Sequence, residues 1–395
     1  MVIAKKVQQQ LARASWIRKM FEEGAALKAQ YGEENVFDFS LGNPVLEPPP
    51  QVQERLQSLV THPEPGMHRY MPNAGYPETR AAVARYLADA EGLPFTREHI
   101  VMVCGAGGGL NVVLKALLDP GDEVIILRPY FVEYLFYIDN HGGVSRIVDT
   151  DAQFRPDLDQ IASAITGKTK ALLLNSPHNP TGVVYDAETL TALGTLLRQK
   201  EAEIQHPLYL ISDEPYRRIL YDGRTFASIF AAYERSIAVT SHSKDLALPG
   251  ERIGYIAVSP QMPEASLVVD ALTFANRILG FVNAPALMQR VITGLQQVSI
   301  DVQWYQRKRD LLFDSLTKMG YSMVKPEGAF YMFPQSPVPD ELEFVRALQQ
   351  EHILTVPGRG FGQEGYFRIA YCVEDRTIEN ALPGFERVAK RYGLC

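Results

Sequence analysis

Cysteine is scarce in this chain of 395 residues, and Cys104, Cys372 and Cys395 stand far apart without a CxxC pair. Such spacing offers neither a disulfide framework nor a zinc site, and it suits the reducing interior of a cell. No apolar run approaches the roughly 20 residues of a membrane-spanning helix. The amino-terminal stretch MVIAKKVQQQ contains too short an apolar run for a signal peptide. We therefore expect a cytoplasmic protein with no membrane partner and no bound metal.

Positive charge is in the minority as well. The 39 lysines and arginines are outnumbered by 46 aspartates and glutamates, which gives a net charge of −7 and argues against nucleic acid as the main partner. The chain also has neither internal repeats nor low-complexity tracts. A hydrophobic content of 46% is ordinary for a globular protein, and the length allows two domains with a large core.

Strand-like and helix-like patterns alternate from about residue 51 to residue 290, which predicts a mostly parallel sheet covered by helices. Before this region, the spacing of apolar residues predicts a helix over Gln8–Gln30 and a strand over Val36–Leu41. After it, the pattern predicts one long helix from about Phe281 to Met319. The last hundred or so residues change to short strands and helices, an α+β pattern.

The segment SHSKDLALPGERIG, residues 241–254, places Lys244 between two strand-like runs that a Pro-Gly turn separates. The amine is thereby held at a strand end, the usual place for a site in an open α/β sheet. An amine can form a Schiff base with an aldehyde, and an arginine such as Arg252 can clamp a phosphate. Aldehyde and phosphate in one small molecule describe pyridoxal phosphate. A lone loop lysine, by contrast, is most often a solvated surface residue.

A glycine-rich stretch, Gly105–Gly109, follows the apolar strand Ile100–Cys104 and opens a helix. Glycines let backbone N–H groups approach an anion, and the start of a helix carries partial positive charge. A dinucleotide-binding fingerprint would require a third glycine at the position of Leu110. The mismatch argues against a nicotinamide enzyme.

Three further stretches place polar groups at or near strand ends. The turn NSPHNPTG, residues 175–182, follows one apolar strand, and Asp213 heads the sequence DEPY at the end of the next. A carboxylate beside a pyridine nitrogen keeps that nitrogen protonated. Arg368 lies inside the apolar run FRIA, where a guanidinium is costly unless an anion meets it. Taken singly, each stretch has another interpretation: the NPTG sequence could be an ordinary turn, Asp213 a helix cap, and Arg368 part of an internal ion pair. His178 is interpreted as a structural residue.

The S-x-S-K segment with its downstream arginine, the NxPxNPTG turn and the DExY pattern together resemble the class I/II family of pyridoxal-phosphate-dependent aminotransferases. The matching positions run from Gly42 to Arg368. The resemblance implies an α/β protein of fold type I, similar to aspartate aminotransferase, with a mostly parallel seven-stranded sheet in a large domain at 51–290. A smaller α+β domain would be formed by both termini, 1–50 and 291–395.

The resemblance also implies a role for each matching residue. Lys244 would carry pyridoxal 5′-phosphate and move a proton, with Asp213 and Tyr216 acting on the cofactor ring. The substrate-binding residues would be Gly42, Asn179 and Arg368. The cofactor-binding residues would be Gly105, Ala106, Gly107, Tyr130, Asn179, Asp213, Tyr216, Ser241, Lys244, Arg252 and Tyr70.

The activity that the resemblance implies is transfer of an amino group from an L-amino acid to a 2-oxo acid by a ping-pong mechanism. Tyr70 is similar to a tyrosine that, in members of the family, extends to the cofactor phosphate of the partner subunit, so we expect a homodimer with shared active sites.

Arg277 is interpreted as a solvated residue rather than as one that binds a second substrate carboxylate. A carbon–sulfur or other β/γ-lyase on the same fold is the alternative function, and a non-catalytic regulator is disfavoured because no DNA-binding extension is present. The amino donor is not readable from the sequence.

Overall fold

The computed structural model describes residues 2–394, except for the side chains of residues 9 and 12–21; Cys395 lies outside the described residues. In chain order, its helices are α1 (Lys5–Tyr31), α2 (Pro50–Thr61), α3 (Pro77–Glu91), α4 (Gly105–Leu117), α5 (Glu133–Asn140), α6 (Leu158–Ala164), α7 (Ala187–Ile204), α8 (Ile229–Ala232), α9 (His242–Asp245), α10 (Ala265–Ile278), α11 (Ala286–Thr293), α12 (Val302–Lys318), α13 (Glu341–Gln350) and α14 (Asp375–Arg391). The predicted amino-terminal helix corresponds to α1.

The strands, again in chain order, are β1 (Phe37–Asp38), β2 (Ile100–Val103), β3 (Glu123–Arg128), β4 (Val144–Asp149), β5 (Thr169–Asn175), β6 (Tyr209–Asp213), β7 (Ser236–Ser241), β8 (Gly254–Val258), β9 (Tyr331–Met332), β10 (Ile353–Leu354), β11 (Val356–Pro357) and β12 (Phe367–Ala370). Short 3₁₀ turns occur at Glu33–Asn35, Arg97–His99, Pro249–Glu251 and Gly358–Phe361. Among the described residues, none of the helices combines the length and the apolar character that crossing a membrane requires.

Contacts divide the chain into two compact units. The terminal unit comprises Met1–Val45, Trp304–Pro326 and Phe330–Cys395, and the central unit comprises Leu46–Gln303 and Glu327–Ala329. The domain boundaries expected from the sequence stay a prediction.

The central unit is built on a seven-stranded sheet in the order β2-β8-β7-β6-β5-β3-β4. Only β8 in this sheet runs antiparallel to its neighbours, β2 and β7. Every residue of β2 and β7 is buried, as expected of strands covered on both faces. The core includes Val113 of α4 and Leu272 of α10 together with Val239 and Ile256 of the sheet. The predicted mostly parallel α/β sheet is confirmed.

The strand register aligns several strand ends at one edge of this sheet, which we call the upper edge. Asp213, the last residue of β6, lies level with Asn175 at the end of β5. Ser241 at the end of β7 lies level with Gly254 at the start of β8, and Gly254 lies level with Val103 at the end of β2. Because β8 is antiparallel, the residues just before it join the carboxyl ends of its neighbours.

The terminal unit confirms the α+β pattern of the last part of the chain. Its strands are short: β11, β12 and β9 form an antiparallel sheet, and β1 pairs in parallel with β10. The strand predicted over Val36–Leu41 is too long, since β1 covers only Phe37–Asp38. The reason is local: Asp38 Oδ1 accepts hydrogen bonds from the backbone N–H and hydroxyl of Ser40, at 3.0 and 2.5 Å, and the chain turns there.

The single long helix predicted from Phe281 to Met319 is wrong. It is divided into α11 and α12 by residues 294–301, which are non-helical. Several backbone groups of this segment bond to distant residues: the N–H of Ile300 donates to the carbonyl of Asp245 at 2.8 Å, and Arg218 donates to two of the segment's carbonyls. These tertiary bonds replace the helical ones, and the apolar spacing of the sequence contains no sign of them.

Candidate active site

Lys244 lies in α9, a single helical turn that directly follows β7 at the upper edge. Its side chain is half-buried between the buried neighbours Ser243 and Asp245. The Ser241 hydroxyl donates to the Ser243 hydroxyl at 3.0 Å, and Nδ1 of His242 lies 3.2 Å from Oδ2 of Asp245. The turn that presents the lysine is therefore fixed on both sides.

Asp213 ends the neighbouring strand β6 and is 6% exposed. Its Oδ2 accepts a hydrogen bond of 2.6 Å from the Tyr134 hydroxyl, whereas its Oδ1 is buried without a hydrogen-bond partner among the described residues. Burial raises the pKa of Asp213 to about 7, and the bond from Tyr134 opposes that rise. A carboxylate in this setting is suited to binding a positively charged ring N–H. That N–H would donate a hydrogen bond to Oδ1 and would keep the Asp213 carboxylate ionised.

Gly105 and Arg252 form a cradle for an anion at the same edge. Gly105 begins α4 with a φ of +72°, and a Cβ atom there would lie 2.8 Å from Nη2 of Arg252. The guanidinium thus lies directly against the glycine, and its Nη1 donates to the carbonyl of Pro249 at 2.9 Å. The first backbone N–H groups of α4, those of Ala106 and Gly107, belong to the same helix start. A helix start beside a guanidinium is suited to a phosphate.

The rest of the glycine run has a packing role. A Cβ atom on Gly109 would lie 2.6 Å from Cγ1 of Val239, so this glycine allows α4 to approach β7 closely. A Cβ atom on Gly107 would lie 2.9 Å from the Tyr137 hydroxyl. The five-residue stretch therefore combines an anion cradle at its start with close helix–sheet packing at its end.

Asn179, Tyr130 and Tyr216 follow β5, β3 and β6 at the upper edge, and all three are buried. Oδ1 of Asn175 accepts the N–H of Asn179 at 2.7 Å, and Nδ2 of Asn175 donates to the carbonyl of Asp213 at 2.8 Å. The NPTG turn is thereby tied to β6. Burial raises the pKa of Tyr130, and the nearby charge of an arginine lowers it only partly.

Three other residues considered in the sequence have settings of a different kind. Tyr70 is in a loop of the central unit and is 89% exposed. Arg277 is exposed in the last turn of α10, with its guanidinium 5.3 Å from the centre of the Phe274 ring. His178 is buried with its Nδ1 2.8 Å from the Thr181 hydroxyl, and burial lowers its pKa to about 4. A neutral, buried His178 agrees with a structural role.

The terminal unit contains a second cluster, which we call the arginine cluster: Arg368, Gly42, Ser40, Tyr331 and Phe361. Arg368 is buried on β12, its Nη2 donates to the carbonyl of Ser40 at 2.7 Å, and its guanidinium lies 4.7 Å from the ring centres of Tyr331 and Phe361. A Cβ atom on Gly42 would overlap the Tyr331 hydroxyl. The structure thus brings Gly42 and Arg368 to the same aromatic ring.

Sequence reasoning missed Tyr134 and Tyr331. Tyr134 stands close to Tyr130 in the sequence, but its contact with Asp213 depends on the order of β3, β5 and β6 in the sheet. Tyr331 contacts Arg368 because β9 and β12 are paired. Neither pairing has a sequence signal, apart from the abundance of aromatic residues in both segments.

The fold and these two clusters define a class of protein, and comparison with known families agrees. The family model described as aminotransferase class I and II matches residues 34–385, and the chain belongs to that family. Its members use pyridoxal phosphate, and the protein is an aminotransferase. The predicted family, cofactor and enzyme class are confirmed.

Individual relatives support the same conclusion. The aspartate/prephenate aminotransferase of Thermus thermophilus is 35% identical over 356 residues, which cover 89% of this chain and 90% of that protein. Aromatic-amino-acid aminotransferase 2 of Thermococcus litoralis is 30% identical, with 98% of both chains covered. The crystal structure of an amino transferase from Eubacterium rectale has a TM-score of 0.96 at 38% identity, covering 99% of each chain. These names favour amino transfer over the lyase alternative.

Proposed function

We propose that the upper edge binds pyridoxal phosphate and that Lys244 is its covalent attachment point and the acid–base group of the reaction. The bound cofactor supplies an aldehyde that captures the substrate's amino group and a ring that withdraws electrons from its Cα. With the cofactor bound, Nζ of Lys244 would accept the proton from the substrate's Cα and hold it for return later in the reaction. Since the second half-reaction reverses the first, the same lysine serves both halves of a ping-pong cycle.

The observation that carries this proposal is the buried carboxylate of Asp213. One of its oxygens accepts from Tyr134, and the other is buried without a hydrogen-bond partner in the described chain. Leaving a carboxylate oxygen in that state costs free energy, which a positively charged N–H would recover. Asp213 would thus hold the pyridine nitrogen of the bound cofactor protonated, which would increase the acidity of the substrate's Cα.

The remaining upper-edge residues would hold and orient the cofactor. Arg252 and Ser241 would bind its phosphate together with the helix-start N–H groups of α4. Tyr130 would pack against the ring, as an aromatic side chain does with a flat heterocycle. Asn179 and Tyr216 would donate hydrogen bonds to the ring oxygen.

Arg368 binds the carboxylate that every donor and acceptor shares. The support for this role is its setting: a buried guanidinium over two aromatic rings, with Gly42 close by. A guanidinium binds a carboxylate through two parallel hydrogen bonds. Asn179 is the third substrate-binding residue of the proposal. The relatives named aspartate aminotransferase make L-aspartate the first donor to test, and the relative named for aromatic amino acids makes L-phenylalanine the second.

We further propose that the protein works as a cytoplasmic homodimer in which Tyr70 reaches the partner's cofactor phosphate. The 89% exposure of Tyr70 supports this, because so exposed an aromatic gains little from its own chain. Large apolar side chains are also exposed on α10: Leu267, Phe274 and Ile278. Exposed apolar groups on one helix suit a subunit interface. The large domain at 51–290 and the small domain formed by 1–50 and 291–395 remain part of this proposal, supported by the division into two units.

The test is the Lys244→Ala variant, with Lys168→Ala, at an exposed loop position, as its matched control. Wild type is mixed with L-aspartate or L-phenylalanine in a single turnover, and the cofactor's visible absorbance is followed. We expect Lys244→Ala to lose the absorbance of the lysine-bound cofactor and to react at least on the order of 10²–10⁴-fold more slowly. The control should behave as wild type. Equal spectra and rates in Lys244→Ala and Lys168→Ala would refute the assignment.

A further inference from the structure

Arg368 is oriented by a backbone carbonyl, that of Ser40, which accepts from its Nη2 at 2.7 Å. Ser40 is in turn held by Asp38, and Asp38 is paired with Lys28 of α1. We propose that Asp38 and Lys28 are positioning residues for the carboxylate-binding arginine. This inference rests on the proposed role of Arg368 and extends it to two side chains that are linked to the guanidinium through Ser40.

Asp38 fixes the direction of the Ser40 carbonyl. Its Oδ1 accepts both the backbone N–H and the hydroxyl of Ser40, at 3.0 and 2.5 Å. The intervening Phe39 is fully buried, donates its N–H to the carbonyl of Leu354 and accepts the N–H of Ala370, both at 2.9 Å. The turn is therefore clamped between β10 and β12, and its last carbonyl can point in only a narrow range of directions.

Lys28 fixes Asp38 itself. Its Nζ lies 2.7 Å from Oδ2, the oxygen that Ser40 does not use, and the two side chains are only 31% and 20% exposed. Burial alone would raise the pKa of Asp38, but hydrogen bonds from Lys28 and Ser40 outweigh it and hold the pKa below its ordinary value. Asp38 therefore stays ionised. Its Oδ1 accepts hydrogen bonds from Ser40 in the turn, and its Oδ2 pairs with Lys28 of α1.

Two kinds of contact help to orient Arg368. The rings of Tyr331 and Phe361, each 4.7 Å away, restrain the plane of the guanidinium. The Ser40 carbonyl restrains its rotation within that plane. Because two parallel hydrogen bonds to a carboxylate tolerate only about 10–20° of misalignment, loss of the second restraint should weaken carboxylate binding.

Lys28, Asp38 and Ser40 line a cavity of about 300 Å³ in the terminal unit, together with Gly24, Leu41 and Leu354. This space makes conservative replacements at positions 28 and 38 sterically harmless, so their effects can be read as loss of the ion pair. Lys28→Met removes the charge with little change of shape. Lys28→Arg keeps the charge, and Asp38→Asn keeps an acceptor for Ser40 while weakening the pair.

The experiment compares two probes that differ only in the carboxylate, L-phenylalanine and phenethylamine, in single turnovers with the cofactor-loaded enzyme. Lys28→Met and Asp38→Asn should raise the apparent dissociation constant for L-phenylalanine about tenfold. The limiting rate should stay within about twofold, and the reaction of phenethylamine should not change. Lys28→Arg should restore the wild-type constant to within about twofold.

Arg368→Lys separates the inference from the function on which it rests. If that variant loses the preference for L-phenylalanine while Lys28→Met and Asp38→Asn treat both probes as wild type does, the inference is overturned and the role of Arg368 stands. The inference is also overturned if Lys28→Met reacts equally poorly with both probes and has a lowered melting temperature. That result would show that Lys28 has a purely structural role. An Arg368→Lys enzyme with unchanged preference refutes the proposed role of Arg368 and the inference with it.

Discussion

The upper edge of the central unit and the arginine cluster of the terminal unit are built in different ways. The upper edge stands on strands of four to seven residues whose register aligns Asn175, Asp213 and Ser241 with their neighbours. The arginine cluster stands on β9, of two residues, and β12, of four, and it depends on side-chain contacts and one turn. A sheet can hold reacting groups by its backbone alone, whereas the cluster holds Arg368 through aromatic rings and through one backbone carbonyl whose residue is held by other side chains.

This difference predicts where substitutions act. At the upper edge, the backbone should keep its position when a side chain is replaced. The substitution should therefore change the rate of the chemical step in which that side chain takes part. In the arginine cluster, a replacement at some distance should displace the guanidinium, so the effect should fall on substrate binding.

Apart from replacement of Lys244, the Asp213→Asn substitution should cause the largest loss of activity at the upper edge. Asparagine preserves the shape of the side chain and an acceptor for Tyr134 but cannot hold a neighbouring cation. We expect kcat to fall on the order of 100-fold or more, with the fold and the melting temperature preserved. Steady-state kinetics and thermal unfolding would measure both.

Tyr134→Phe is the matched variant for that experiment. It removes only the hydrogen bond to Oδ2 of Asp213, so its effect should be at least about tenfold smaller than that of Asp213→Asn. If Asp213→Asn kept its kcat, or if the two variants lost equal activity, the charge of Asp213 would have no special role and the contrast between the two regions would weaken.

Gly42→Ala should have a smaller effect, and it should change KM rather than kcat. A methyl group there overlaps the Tyr331 hydroxyl, so the ring against which Arg368 packs must shift. We expect KM for both the amino acid and the 2-oxo acid to rise about tenfold, with kcat and the cofactor's absorbance nearly unchanged. Gly167→Ala is the control, since a Cβ atom on Gly167 meets nothing within 4 Å. A fall in kcat at constant KM would contradict the account.

The two regions also differ in how far the sequence alone predicts them. At the upper edge, motif residues follow directly on apolar strands, so local sequence patterns are enough to place Lys244, Asp213 and Arg252 at strand ends. The contact between Tyr134 and Asp213 has no such local signal, because it depends on strand order rather than on neighbouring residues.

In the terminal unit, the resemblance to a family singled out Gly42 and Arg368 but none of the groups that hold them. Ser40, Asp38 and Tyr331 are ordinary residue types in short segments. Ser40 and Tyr331 meet Arg368 only when distant parts of the chain pair, and Asp38 is linked to Arg368 through Ser40. The two wrong predictions have different causes. The strand at 36–41 is cut short by local hydrogen bonds between Asp38 and Ser40, whereas the helix at 281–319 is interrupted where its chain bonds to distant residues.

The most direct test of the central claim is chemical fixation of the cofactor. The protein loaded with pyridoxal phosphate is reduced with sodium borohydride and digested, and the peptides are examined by mass spectrometry. The account predicts one modified peptide that contains residues 241–252, with the cofactor's added mass on Lys244. A tag on a different lysine, or no tag on a protein that still transfers amino groups, would contradict it.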